Sequence, residues 1–136
     1  MSTTKIYSNF AVSNMNMQSK LIISTSNELV RISPAKIVYI SSDGNYSALM
    51  QVDGELRMLS HQLGQIEKMI ATQLGNDSNN FIRIGKGLII NRAYIYYINT
   101  PKQKLILSDA ATFNYSVMAS REALKQLKDL VEKEMK

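Results

Sequence analysis

Between residues 20 and 60 the apolar residues arrive only in runs of strand length, each bounded by turn residues. The runs are Lys20 to Ser24, Glu28 to Ile32, Lys36 to Ser41, Asn45 to Val52 and Glu55 to Ser60. Asp53-Gly54 lies between two of them and predicts a hairpin in which both turn positions take positive φ. Asp43-Gly44-Asn45 marks another tight turn. The pattern resumes after residue 80 with Phe81 to Ile84, Leu88 to Asn91 and Ala93 to Asn99. A hairpin tipped by Pro101-Lys102-Gln103-Lys104 follows, then Leu105 to Ser108 and Thr112 to Val117. So many short strands predict a mainly β chain of small antiparallel sheets.

Two segments break this rhythm. Leu63, Ile66, Ile70 and Leu74 recur three or four apart and share one helical face, with Ser60 as the expected N-cap. Gly75 and the Asn/Asp/Ser run through Asn80 end that helix. A second helix is expected from Ser120, a good N-cap, with Glu122 in its first turn and Leu124, Leu127, Leu130 and Val131 on its buried face. Surface pairs are expected between Glu122 and Lys125, Asp129 and Lys133, and Glu132 and Lys136.

The 136 residues, 45% of them apolar, suit one domain, which we place at residues 20–136. A chain of this size buries roughly two-thirds of its unfolded surface and has no need of a metal or disulfide. Residues 1–19 are rich in Ser, Thr, Asn and Gln, with Ile6, Tyr7, Phe10, Ala11 and Val12 as their apolar cluster, and read as a flexible tail. The absence of cysteine excludes disulfides, thiolate zinc sites and a cysteine nucleophile. With no membrane-length apolar run and no secretory signal order, a cytoplasmic location and no membrane partner are expected.

The net charge of +5 has an address. Up to residue 80 six cations face six acids, and beyond residue 121 four face four. In between, Arg83, Lys86, Arg92, Lys102, Lys104 and Arg121 face Asp109 alone. A regional positive field gathers polyanions, although it also serves solubility.

Catalytic chemistry is thinly supplied. His61 stands alone, without a second ligand or a neighbouring nucleophile, and reads as a surface or capping residue. Gly85-Lys86-Gly87 lacks the frame of a phosphate-cradling loop. Tyr94, Tyr96 and Tyr97 read as core filling in preference to a stacking platform, Tyr94 and Tyr96 on one strand face and Tyr97 on the other. No enzyme activity, cofactor or metal is expected.

Three stretches resemble one family, the LytTR DNA-binding domains of bacterial response regulators. Ile37-Val38-Tyr39-Ile40-Ser41-Ser42-Asp43-Gly44-Asn45-Tyr46 is similar to the family's strand and turn. Phe81-Ile82-Arg83-Ile84-Gly85-Lys86-Gly87-Leu88-Ile89-Ile90-Asn91 is similar to its arginine, cationic loop, apolar strand and asparagine, and Ser120-Arg121 to its Ser-Arg at the final helix. The resemblance runs from about Lys20 to Val131. It implies an elongated arrangement of small sheets with a short mid-chain helix and a C-terminal helix. It further implies loops that enter successive major grooves of double-stranded DNA and regulation of bacterial transcription at paired repeats, where DNA brings two copies together.

Carried over residue by residue, the DNA-facing positions are Asn45 and Tyr46, Lys86 and Arg121. Arg121 is expected to read or position and Lys86 to anchor phosphate. Arg83, Lys102 and Lys104 are further candidates for phosphate contact, Arg83 being as well suited to a structural ion pair. Asn91 is expected to satisfy backbone groups at a strand end. Two departures stand out. The family commonly carries a histidine at the position of Gly85 and a serine at that of Gly87, so side-chain donors are lost from this loop. The family's usual N-terminal phosphoacceptor domain does not fit within 19 residues, which is the expectation for a stand-alone regulator or an excised domain. The competing reading is a protein-interaction module of the same fold that has lost DNA binding.

Overall fold

Leu88-Ile89-Ile90 is an unbroken apolar run, and a strand of that kind needs cover on both faces. The computed structural model, which describes residues 20–135, provides it. The run forms β7 (Leu88–Asn91), and every residue of it is buried. β7 lies between β6 (Phe81–Ile84) and β3 (Ile37–Asp43) in a five-stranded antiparallel sheet. β4 (Tyr46–Gln51) and β5 (Leu56–Leu59) complete it, in the order β5-β4-β3-β7-β6.

Alternation along β7 divides the core in two. Ile89 faces one layer with Ile40 and Leu49, covered by the hairpin of β1 (Leu21–Ser24) and β2 (Leu29–Ile32) and by the helix α1 (Leu63–Leu74). Leu88 and Ile90 face the other layer. That side is covered by a three-stranded sheet, in the order β10-β9-β8, and by the helix α2. The strands are β8 (Ile95–Asn99), β9 (Lys104–Ser108) and β10 (Asn114–Met118), and α2 spans Arg121–Lys133. The expected mainly β fold of small antiparallel sheets with a mid-chain and a C-terminal helix is the fold observed.

Asn91 closes β7 as expected. Its amide donates to the carbonyls of Ile37 at 2.9 Å and Pro34 at 3.2 Å, while its Oδ1 accepts from Ala93 N at 3.0 Å. Ser120 caps α2, accepting from Ala123 N at 3.1 Å.

Several local expectations are corrected. The N-cap of α1 is Gln62 and not Ser60, with Gln65 Oε1 accepting from Gln62 N at 2.8 Å. The turn at Asp53-Gly54 needs positive φ only at Gly54 (φ 89), because Val52 joins it and Gln51 pairs with Glu55 through a 3.0 Å bond. The strand expected from Ala93 starts at Ile95, after a 3-10 turn over Arg92–Tyr94. The register then shifts between Ile95 and Tyr97. Tyr94 packs on Phe113 with ring centroids 5.0 Å apart, but Tyr96 and Tyr97 are exposed, so core filling holds for the first alone. On α2, Leu124 and Leu127 are buried and Val131 packs beside them, whereas Leu130 is exposed. Among the described residues, the ion pairs formed there are Lys128 with Glu132 at 2.7 Å on the helix and Glu134, just past its end, with Arg92 at 2.9 Å, in place of those the spacing predicts; Lys136 lies outside the described residues. The tail at residues 1–19 also lies outside them.

Candidate nucleic-acid interface

The sheet register brings the candidate turns to one end of the molecule. β3 ends opposite the start of β4, with Asp43 across from Tyr46, so Gly44-Asn45 form a tight turn with Gly44 at φ 63. β3 also runs antiparallel to β7, Ser41 facing Leu88, which places the Gly85-Lys86-Gly87 turn beside it. A bond from Ser42 N to Gly87 O at 2.8 Å ties the second turn to β3.

Arg83 shapes the cationic turn from below. Its Nε donates to Gly85 O at 3.2 Å and its Nη2 to Lys86 O at 2.7 Å, while Nη1 pairs with Glu67 on α1 at 2.7 Å. With its donors so engaged, the arginine holds two loop carbonyls, and Lys86 stays exposed at the tip. Gly85, at φ 60, takes a conformation that other residues adopt only with strain.

The start of α2 reaches the same place. A groove of about 470 Å³ is bordered by Ser41, Lys86 and Gly87 on one side and by Met118, Ser120 and Ala123 on the other. Tyr39 forms part of its wall, packed edge-on against Tyr115 at 6.2 Å, and burial pushes its hydroxyl pKa up. The β8–β9 turn joins from the far wall: Lys104 pairs with Met118, and Ala119 N donates to Gln103 O at 3.4 Å. Within that turn Lys102 N is fixed by Asn99 Oδ1 at 2.9 Å.

Charge follows the same geometry. Arg83 and Arg92 are neutralised by Glu67 and Glu134. Among the described residues, the side chains of Lys86, Lys102, Lys104 and Arg121 are exposed and enter no ion pair or hydrogen bond. Asp109, the acid of the basic segment, follows the opposite end of β9 from Lys104. There its carboxylate accepts from the Thr112 hydroxyl and from the backbone N–H groups of Ala111, Thr112 and Phe113, which hold its pKa well below the usual carboxylate range. Asp109 is thus held away from these cations, and the exposed acids at their end are Asp43 in the β3–β4 turn and Glu122 beside Arg121.

Asn45 and Tyr46 border this end from the other side. Tyr46 is 54% exposed, and Asn45 Oδ1 lies 3.5 Å from Gln62 Nε2. Sequence reasoning missed two features. The engagement of Arg83 with its own loop depends on Glu67, sixteen residues away. Met118 is 77% exposed in the groove wall, an apolar side chain whose strand position alone did not mark it.

His61 is occupied structurally, its Nε2 lying 3.0 Å from the carbonyl of Ser24, which can only accept. Among the described residues, no three His, Cys, Asp or Glu side chains gather in a way that would hold a metal ion. No helix among them is long and apolar enough to cross a membrane.

Comparison with known proteins agrees with this geometry. Residues 27–132 match the family model of the LytTr DNA-binding domain. The fold is similar to a solved structure described as the LytTr DNA-binding domain of a methyl-accepting/DNA response regulator from Bacillus cereus. The TM-score is 0.57 at 15% identity, over 84% of this chain and 97% of that one. No curated protein matches. Since the family model spans most of the described chain, and its motifs fall on the turns gathered at one end, the protein belongs to the LytTR family of DNA-binding domains.

Proposed function

We propose that this protein binds double-stranded DNA sequence-specifically and regulates transcription, its turns at Asn45, Lys86 and Arg121 entering successive major grooves from one side. One observation carries the reading: the four cations of residues 81–121 that have no protein partner, Lys86, Lys102, Lys104 and Arg121, stand in or beside the turns that converge at one end of the molecule. Cations that form no ion pair within the protein suit a surface whose charges repeat at phosphate spacing.

The roles divide by chemistry. The guanidinium of Arg121 projects from the first turn of α2 and forms two hydrogen bonds to a guanine edge, which a point charge cannot do. Lys86, Lys102 and Lys104 neutralise phosphates and set affinity. Arg83 acts on the loop instead of on DNA, holding the carbonyls of Gly85 and Lys86 so that the Lys86 ammonium is presented outward. Asn45 and Tyr46 supply amide and phenol groups to the adjoining groove. Paired repeats on one duplex would hold two copies, brought together by the DNA.

Selection of bound duplexes from a random pool tests this directly. Enrichment of a defined repeated element is the expected result. A pool that stays random, with the protein still retained by other proteins, favours an interaction module of the same fold and sinks the proposal.

A further inference from the structure

Among the described residues, two of the strand edges left without partners border the same groove. The first belongs to β2. Gln73 on α1 accepts from Ile22 N and donates to Ile22 O, both at 2.8 Å, so the main-chain groups of Ile22 point away from β2. Residues facing one another across an antiparallel pair alternate between bonded and non-bonded. Ile22 faces Arg31 and Ser24 faces Leu29, so Arg31 and Leu29 turn their N–H and C=O groups away from β1.

The second edge belongs to β5. Gln51 N donates to Glu55 O at 3.0 Å, which makes that a bonded pair. Stepping along the ladder, Met50 with Leu56 and Ala48 with Met58 are the non-bonded pairs. Leu56 and Met58 therefore turn their main-chain groups away from β4. β2 and β5 are each the last strand of their sheet, and no described backbone group bonds these four positions. The outer edge of β1, by contrast, is closed by Gln73. Open edges beside apolar side chains are a template for another strand.

The space between the edges is shaped for one. A groove of about 510 Å³ is bordered by Val30, Arg31, Lys36, Val52 and Arg57. A second hollow of about 210 Å³ continues it past Val30 to Met58 and Tyr46. Leu29 in the groove and Met58 in the second hollow are 63% and 46% exposed, and Leu56, in the same edge strand as Met58, is 49% exposed.

We propose that this groove seats an added strand supplied by the chain's own residues 6–12, Ile6-Tyr7-Ser8-Asn9-Phe10-Ala11-Val12. Three arguments select this occupant over a second copy or a foreign peptide. Lys20 Nζ donates to Ser33 Oγ at 2.9 Å, which holds the start of β1 at the end of the groove formed by Ile32 and Lys36. Residues 13–19 span up to about 24 Å at roughly 3.4 Å each, more than the roughly 13 Å of a four-residue strand such as β5. Ile6, Phe10 and Val12 share one face of a strand, and residues 6–12 carry no charge to desolvate. Main-chain bonds to the open edges supply the affinity, and the apolar face covers Leu29, Leu56 and Met58.

The test is hydrogen exchange on the full chain, read residue by residue. The outward amides of Leu29, Arg31, Leu56 and Met58 should exchange about tenfold or more slowly relative to the Phe10→Asp/Val12→Asp variant, with Phe10→Leu retaining protection. The inward amides of Ile23 and Val30 report whether each variant remains folded. Because the chain lacks cysteine, Ser8→Cys, on the strand face shared by Ile6, Phe10 and Val12, with Leu56→Cys gives a unique pair, expected to form a disulfide within one chain. Fast exchange at the four amides in both proteins, or protection that survives the Asp substitutions, overturns the proposal. So does a disulfide that links two chains, or protection lost on dilution, either of which assigns the groove to a second copy.

Discussion

The guanidinium of Arg83 donates to the carbonyl of Lys86 at 2.7 Å, so the side chain that carries the free charge of the turn is aimed by the cation three residues before it. Two cations in one loop thus have different duties. One is consumed internally, and the other is left for solvent or a partner.

That division is measurable by salt dependence. Lys86→Ala should reduce the slope of log affinity against log salt by about 0.9, the value of one lost phosphate contact. Arg83→Ala should weaken binding several-fold at fixed salt while leaving the slope unchanged, because it removes a support and no contact. Equal changes of slope in the two variants would place Arg83 on the phosphates.

Arg121→Ala should act on discrimination. Binding to the preferred site is expected to weaken by about 1–3 kcal/mol, while binding to scrambled duplex changes little. Ser120 lies beside Arg121 and caps α2, so thermal denaturation of the variant should first show an intact helix start.

Asn91→Leu tests the junction at the end of β7. The side chain is 3% exposed and serves the carbonyls of Ile37 and Pro34 and the N–H of Ala93. Leaving these groups buried without a partner should cost about 1–3 kcal/mol of folding stability, measured as a lower urea midpoint at unchanged slope. A midpoint equal to that of the parent would show that water replaces the amide.

Asp109 makes stability depend on pH at the acid end. Its folded pKa lies below the unfolded value of about 3.9, so the folded state favours the ionised form. The contribution is complete above the unfolded pKa and is lost as pH falls through the lower, folded one. The difference in melting temperature between the protein and Asp109→Asn should therefore be constant near neutrality and shrink below about pH 4. A gap that persists undiminished into strong acid would assign the effect to shape and not to charge.

Much of the fold was legible because turn chemistry and period are local. The strands around Gly44, Gly85 and Gly87 and the helix on Leu63, Ile66, Ile70 and Leu74 announce themselves within a few residues. What was not legible depends on distant partners. The pairing of β3 with β7 joins residues far apart in the chain, and it alone brings the Asn45 and Lys86 turns together. Tyr96 and Tyr97 are exposed because the ladder shifts at Ile95, which strict alternation cannot foresee. The charge map located the right segment but could not separate Arg83 and Arg92, spent on Glu67 and Glu134, from the four cations left over.

A side chain built on Gly87 would meet no atom within 4 Å, and its backbone needs no left-handed conformation, unlike that of Gly85. The scaffold thus imposes little constraint on which residue follows Lys86 in this exposed turn. A serine or histidine installed there would add a hydrogen-bonding group at negligible expense in folding, so variants of this position can be sorted by the DNA they prefer, with the architecture beneath acting as a constant handle.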